Sequence, residues 1–279
     1  MAFAIASRFK RRAQKPSDAG GTAPQLDLER PTAHAIYEQV AKNARQELDR
    51  DAFSLLVSGL AGGMGMGLTA LAVSVASATL GKSPSAHFVA FMLYPIGFIV
   101  VILGRSQLFT ENTLYPVALV LSERGHSFKT ARLWALVLPS NIVGAFLFAL
   151  LAARTGALRP EFVTAMAQFG IDAAHAPAWS VFWSGVIGGW VIAMVAWLVS
   201  GSHSITGSVA LIWLLTFVVG LGGFAHCIAT SGEILAAVVT HQLPALAYLR
   251  WIVPAVAGNI CGGVLLVTLL EYGQTKGDM

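Results

Sequence analysis

Apolar residues in this chain run in six long stretches separated by short polar ones, and two of the six are interrupted by polar residues near their middles. The uninterrupted stretches cover residues 53–80, 131–153, 179–199 and 245–270. Each is long enough for a helix to cross a bilayer, which takes about 20 apolar residues. The other two, residues 87–121 and 207–240, are longer than one straight crossing needs. In the first, Gly104, Arg105, Ser106, Gln107, Thr110, Glu111, Asn112 and Thr113 break the apolar run, with Leu108 and Phe109 among them. In the second, His226, Cys227, Thr230, Ser231 and Glu233 lie among Gly220, Gly222, Gly223 and Gly232. Ionisable side chains at membrane depth are costly and face a partner or a cavity rather than lipid. Broken-helix backbone is tolerated there only where protein or water covers it. The pattern predicts an all-α integral membrane protein of six transmembrane helices, the second and fifth of them broken.

Outside these stretches the period changes. Ile36, Val40, Ala44 and Leu48 recur every four residues, with Tyr37 and Ala41 beside them, so residues 32–51 read as an amphipathic helix. It either lies on the membrane surface or docks on the bundle. Residues 1–31 carry Arg8, Lys10, Arg11, Arg12 and Lys15 and read as a flexible basic tail. The apolar run at residues 1–5 is too short for the core of a signal peptide, so none is expected. Residues 154–178 read as a polar loop, residues 52–270 as one membrane transport domain, and residues 271–279 as a polar tail.

The two halves resemble each other. A shift of 118 residues sets Gly104 on Gly222 and Leu108 on His226, and lays Asn141, Ile142 and Gly144 on Asn259, Ile260 and Gly262. Each half holds three spans with the middle one broken. Three is odd, so the halves are expected to cross the membrane in opposite directions, as inverted repeats. Paired broken helices in such repeats point to a transport site at the bilayer midplane.

Composition narrows the function classes. Of 279 residues 56% are hydrophobic and 11% charged, against roughly 25% charged in soluble domains. The net charge of +4 gathers in the N-terminal region and in loops such as that of Arg124, Lys129 and Arg132. This fits the positive-inside rule, with both termini cytoplasmic, and gives no argument for nucleic acid. Cys227 and Cys261 have neither disulfide nor metal-ligand spacing. No nucleophile motif, metal cluster or phosphate loop is present, so neither an enzyme nor a cofactor or metal is expected.

The order and spacing of several motifs resemble the formate/nitrite transporter family. They are Leu108-Phe109-Thr110 with Asn112, Asn141 with Gly144, Gly223-Phe224 with His226, Ile228 and Ala229, and Asn259-Ile260 with Gly262 and Gly263. The resemblance spans roughly residues 50–270. It implies an aquaporin-like fold, a homopentamer with one pore per protomer, and selectivity for small monovalent anions of weak acids. It also implies that the Leu-Phe-Thr loop forms a constriction and that His226 sits at the midpoint of the pore. The expected setting is a bacterial inner (plasma) membrane.

This chain also departs from that family. The acidic residues that usually precede Leu-Phe-Thr and the histidine are Gln107 and Ala225 here, and Thr230 stands where an Asn is common. The family's lysine ahead of the fourth span has no counterpart, the nearest polar residues being Asp172 and His175. In exchange, Arg105, Glu111 and Glu233 lie near the breaks.

A neutral weak acid crosses a dry constriction far more cheaply than its anion. His226 is therefore expected to protonate or polarise the substrate between constrictions that include Phe109. The pore set is His226, Phe109, Thr110, Leu108, Arg105, Asn112 and Thr230. Arg105 either attracts the anion or forms an ion pair with Glu111 or Glu233 that braces the breaks. The brace is the favoured reading, because buried charges are usually paired. Asn141 and Asn259 read as helix-packing polar residues that bond backbone or neighbouring helices. Trp134, Trp179 and Trp251 read as interface anchors. The alternatives are a neutral small-solute channel of aquaporin type, although paired Asn-Pro-Ala motifs are missing, and a non-transporting scaffold with a sealed pore.

Overall fold

The computed structural model describes residues 31–123 and 125–275. The basic tail expected over residues 1–31 lies outside them except for Pro31, as do residues 276–279. The described residues are mostly helical, with no strand among them. Five helices are long and apolar enough to cross a membrane: Ala52–Leu80, Pro84–Leu103, Ser127–Arg154, Ala178–Ser200 and Ala245–Thr275. The remaining apolar stretch is divided into two shorter helices, Ile205–Leu221 and Ala229–Val239.

In chain order the helices are α1 (Ala33–Leu48), α2 (Ala52–Leu80), α3 (Pro84–Phe91), α4 (Pro95–Leu103), α5 (Tyr115–Ser122) and α6 (Ser127–Arg154). There follow α7 (Pro160–Ala174), α8 (Ala178–Ser200), α9 (Ile205–Leu221), α10 (Ala229–Val239), α11 (Ala245–Cys261) and α12 (Leu269–Thr275). A π-helical segment, Gly262–Thr268, joins the last two. Thr32 caps α1 and Asp51 caps α2, each side chain accepting from a backbone N–H of the first turn. Helix α1 docks on the bundle: Tyr37, Val40, Ala44 and Leu48 are buried, and the Tyr37 hydroxyl donates to the Ala118 carbonyl at 2.9 Å.

Residues 160–174 form α7 rather than a loop. Pro160 opens it and Glu161 sits in its first turn. Met166, Ala167 and Gly170 bury one face, with Val163 on the same stripe. The exposed charges at either end had masked this period.

Two helix pairs carry the packing, α2 along α6 and α8 along α11. Lipid supplies no hydrophobic drive between helices, so small residues that allow close approach hold them together. A Cβ at Gly63 would run into the Asn141 carbonyl, and one at Gly189 into the Asn259 carbonyl.

The two chain breaks close alike. Helix α4 ends at Gly104 with Arg105 left-handed, at φ 58°. Arg105 N–H donates to the Ile102 carbonyl at 3.2 Å and Ser106 N–H to the Val101 carbonyl at 3.0 Å. Helix α9 ends at Gly222 with Gly223 left-handed, at φ 63°. Gly223 N–H donates to Gly220 and Phe224 N–H to Val219, both at 3.0 Å. These are Schellman caps, which satisfy carbonyls that a helix end would leave open.

Candidate functional site

Beyond each cap the chain runs irregularly across the bundle, and its backbone needs partners. One asparagine supplies them on each side. Asn141 Oδ1 accepts from Phe109 N–H at 2.9 Å, while its Nδ2 donates to the Gly59 and Gln107 carbonyls at 2.7 and 2.9 Å. Asn259 Oδ1 accepts from Cys227 N–H, and its Nδ2 donates to the Gly185 and Ala225 carbonyls, each at 2.8 Å. Two serines complete the frame. Ser58 Oγ accepts from Gln107 N–H at 3.1 Å and Ser184 Oγ from Ala225 N–H at 2.9 Å.

The two breaks meet at His226 and Thr110. His226 is completely buried. Its Nδ1 accepts from the Ala229 and Ile228 N–H groups at 3.0 and 3.4 Å, so the ring caps the start of α10. A nitrogen that accepts from the backbone carries no proton, which places the proton of the neutral ring on Nε2. Nε2 lies 2.8 Å from Thr110 Oγ1 and donates to it. A second proton on Nδ1 would set N–H against N–H. The Phe98 ring packs edge-on against the imidazole, with centroids 5.0 Å apart. Phe109 is equally buried but turns to Trp134 of α6, at 5.7 Å.

A cavity approaches this pair from each end of the bundle. The smaller, about 50 Å³, is lined by Glu47 of α1, Arg105, Gln107, Leu108, Glu111, Asn112 and Val199. The larger, about 360 Å³, is lined by α7 residues and by Tyr94, Ser180, Thr230, Glu233 and Trp251. Ser180 and Val199 lie near opposite ends of α8, roughly 28 Å apart at 1.5 Å per residue. The cavities therefore open at opposite faces, and His226 lines neither. Rings lead inward from the larger one: Phe91 stacks on Tyr94 at 6.2 Å, Tyr94 meets Phe98 at 5.6 Å, and Phe98 meets His226.

The remaining sequence candidates divide between the cavities. Arg105, Leu108, Glu111 and Asn112 line the α1-side cavity; Thr230 and Glu233 line the α7-side one. Arg105 is exposed, and no ion pair joins it to Glu111 or Glu233 among the described residues. The favoured brace thus has no ion pair among the described residues: Arg105 shares its cavity with Glu111, while Glu233 lines the other. Gln107 Nε2 donates to Glu47 at 2.6 Å, and Asn112 Nδ2 donates to Gln107 Oε1 at 2.8 Å, tying the end of α1 to the first break. Trp134 Nε1 donates inward to the Asn112 carbonyl at 2.9 Å, and Trp251 is buried beside the larger cavity, so neither is an interface anchor.

A family model described as formate/nitrite transporter matches residues 34–273. The chain belongs to the formate/nitrite transporter family. It is 32% identical over 250 residues to "Inner membrane protein YfdC" of Escherichia coli (strain K12), which covers 88% of this chain and 80% of that protein. Two solved structures share the fold. One, an "FNT family ion channel", superposes with a TM-score of 0.77 at 20% identity, over 86% of this chain and 98% of the other. A "Pentameric formate channel with formate bound" gives 0.69 at 18% identity, over 81% and 98%. As a member of the formate/nitrite transporter family, the chain is a transmembrane transport protein.

Sequence reasoning missed four residues of this formate/nitrite transporter site. Phe98 and Tyr94 sit in an unbroken apolar run and gave no signal. Ser58 and Ser184 did give one: Ser58-Gly59 with Gly62-Gly63 in α2 recurs as Ser184-Gly185 with Gly188-Gly189 in α8. Their spacing is 126 residues, so a fixed shift of 118 hides the match.

Proposed function

We propose that this protein is a pathway for small monovalent anions of weak acids, formate- or nitrite-like, across a bacterial inner membrane. The observation that carries the reading is the His226–Thr110 pair, buried at the junction of two broken helices between cavities that open at opposite faces. Six crossings arranged as two inverted three-helix repeats accommodate the matched caps and asparagine clamps of the two halves. A homopentamer with both termini cytoplasmic completes the assembly; the pentameric formate channel of the same fold supports it.

The chemistry follows from the ring. The Nε2–H of His226 is a fixed donor, held by the bonds at Nδ1. An arriving carboxylate or nitrite oxygen competes with Thr110 Oγ1 for it. The start of α10 points its partial positive charge at the same spot, which favours negative charge there. The substrate is thereby polarised where solvation is lost. Giving up the only ring proton would leave an imidazolate, so the proton that makes the neutral acid comes from the solution side. Leu108, Phe98 and Phe109 keep the junction dry. Arg105, exposed at the α1-side mouth and without an ion pair among the described residues, draws the anion toward it. Transport of labelled formate or nitrite into proteoliposomes, absent from protein-free liposomes, tests the reading. No uptake of either anion by correctly assembled protein contradicts it.

A further inference from the structure

The α7-side cavity, one mouth of the proposed pathway, carries a carboxylate that the passage of an anion does not call for. We propose that it is a binding site for a small ammonium-type organic cation, such as a protonated primary amine. It goes beyond the anion reading: it concerns one of the two mouths of that pathway and is tested by binding rather than transport.

Glu233 is 9% exposed, lines the cavity, and makes no hydrogen bond or ion pair among the described residues. Tyr94 is 5% exposed, lines the same cavity, and its hydroxyl has no partner there either. Asp172 stands exposed at the rim, where Gln168 Nε2 donates to it at 2.8 Å. None of the lining residues is Lys, Arg or His. A carboxylate taken out of water without a partner is heavily penalised, and a bound cation removes that penalty.

The walls suit an organic cation better than a bare metal ion. Phe91, Tyr94, Phe169, Phe224 and Trp251 line the cavity, and the rings of Phe91 and Phe169 meet edge to face at 5.7 Å. Aromatic faces attract ammonium groups through their quadrupole. No group of three or more His, Cys, Asp or Glu side chains gathers to hold a metal ion among the described residues. The volume, about 360 Å³, lies at the small end of pockets for organic ligands, roughly 300–1,000 Å³. Thr230 and Ser184 add hydroxyls that accept further N–H groups. The opposite cavity differs in kind: it is smaller and holds Arg105.

The test uses the full-length protein in detergent and follows thermal unfolding as methylammonium chloride is added, against sodium chloride at matched ionic strength. A ligand that binds only the folded state raises Tm by mass action. Methylammonium is expected to raise the parent's Tm saturably and sodium is not. Glu233→Gln is expected to weaken the apparent affinity by at least about tenfold, the usual scale for losing a hydrogen bond to a charge. An equal rise in parent and Glu233→Gln, or no rise in the parent, overturns the proposal. A second readout needs no change at Glu233. Methylammonium is expected to alter tryptophan fluorescence in the parent but not in Trp251→Phe. A change that survives this substitution overturns the proposal as well.

Discussion

Arg105 and Gly223, 118 positions apart, both hold a left-handed backbone and both close a Schellman cap, at φ 58° and 63°. Glycine is the ordinary residue at such a cap, because a Cβ there crowds the following carbonyl. An arginine in this place keeps a strained backbone and presents an exposed guanidinium, with no ion pair among the described residues, at the mouth of a cavity.

The exchange Arg105→Gly therefore separates stability from transport. Relief of the left-handed strain outweighs the added freedom of the unfolded chain by about 0.5–1 kcal/mol. Tm in detergent is expected to rise while the initial rate of anion uptake falls, most clearly at low ionic strength where the charge is least screened. A lower Tm would revive the brace.

Asn259 makes three buried hydrogen bonds, to Cys227 N–H and the Ala225 carbonyl in the irregular segment and to the Gly185 carbonyl inside α8. Asn259→Ala removes all three and leaves the Cys227 N–H and the Ala225 carbonyl open. At about 1 kcal/mol each, the expected loss is about 2–4 kcal/mol. Asn141→Ala at the other break is expected to lose a similar amount. Denaturant unfolding in detergent measures both, and near-neutral values would dismiss the clamp.

Gly189→Ala drives a methyl into the Asn259 carbonyl across the α8–α11 contact. Overpacking of this kind costs about 1–3 kcal/mol. Gly63→Ala does the same against Asn141. Gly81→Ala meets no neighbour, so strain at its φ of 86° is its only penalty. Ranking the three by Tm checks the close approach.

Helix α1 is pinned partly by charge. The Glu123 carboxyl, bonded first by Arg45 and then by His126, is held below the usual carboxylate range. A lowered native pKa gives stability that is present above the ordinary Glu value and is lost as pH falls through the native one. Protection of the α1 amides, taken relative to their intrinsic exchange rate, is expected to fall below about pH 4.3, the usual Glu value, and Glu123→Gln to remove that step. The effect is small, since the pair is solvated.

Much of this was legible in the sequence, and the gaps have physical causes. The apolar stretches and both breaks follow from composition alone, because lipid enforces apolarity over a fixed length. Asn141 and Asn259 stood out by their spacing. Their partners did not, since Gly59 and Gly185 lie 82 and 74 positions away and only packing brings them near. Helix α7 was hidden because Arg159, Glu161 and Asp172 dominate a short segment whose apolar face is narrow. The separation of Arg105 from Glu233 was beyond sequence, which lists charges near a break without saying which cavity each one lines. Phe98 was invisible for the opposite reason: one Phe in an apolar run resembles any other.

The most direct test of the account is anion uptake by His226→Ala beside the parent, in proteoliposomes, from about pH 8 down to about pH 5, the range over which an ordinary histidine changes charge. Parent uptake is expected to climb as pH falls, since more neutral acid forms. The variant is expected to lose at least about tenfold in rate, the worth of one donor to a charged group, with its protomers still folded by thermal unfolding. Equal uptake and an equal pH profile in the two proteins would contradict a polarising role for His226.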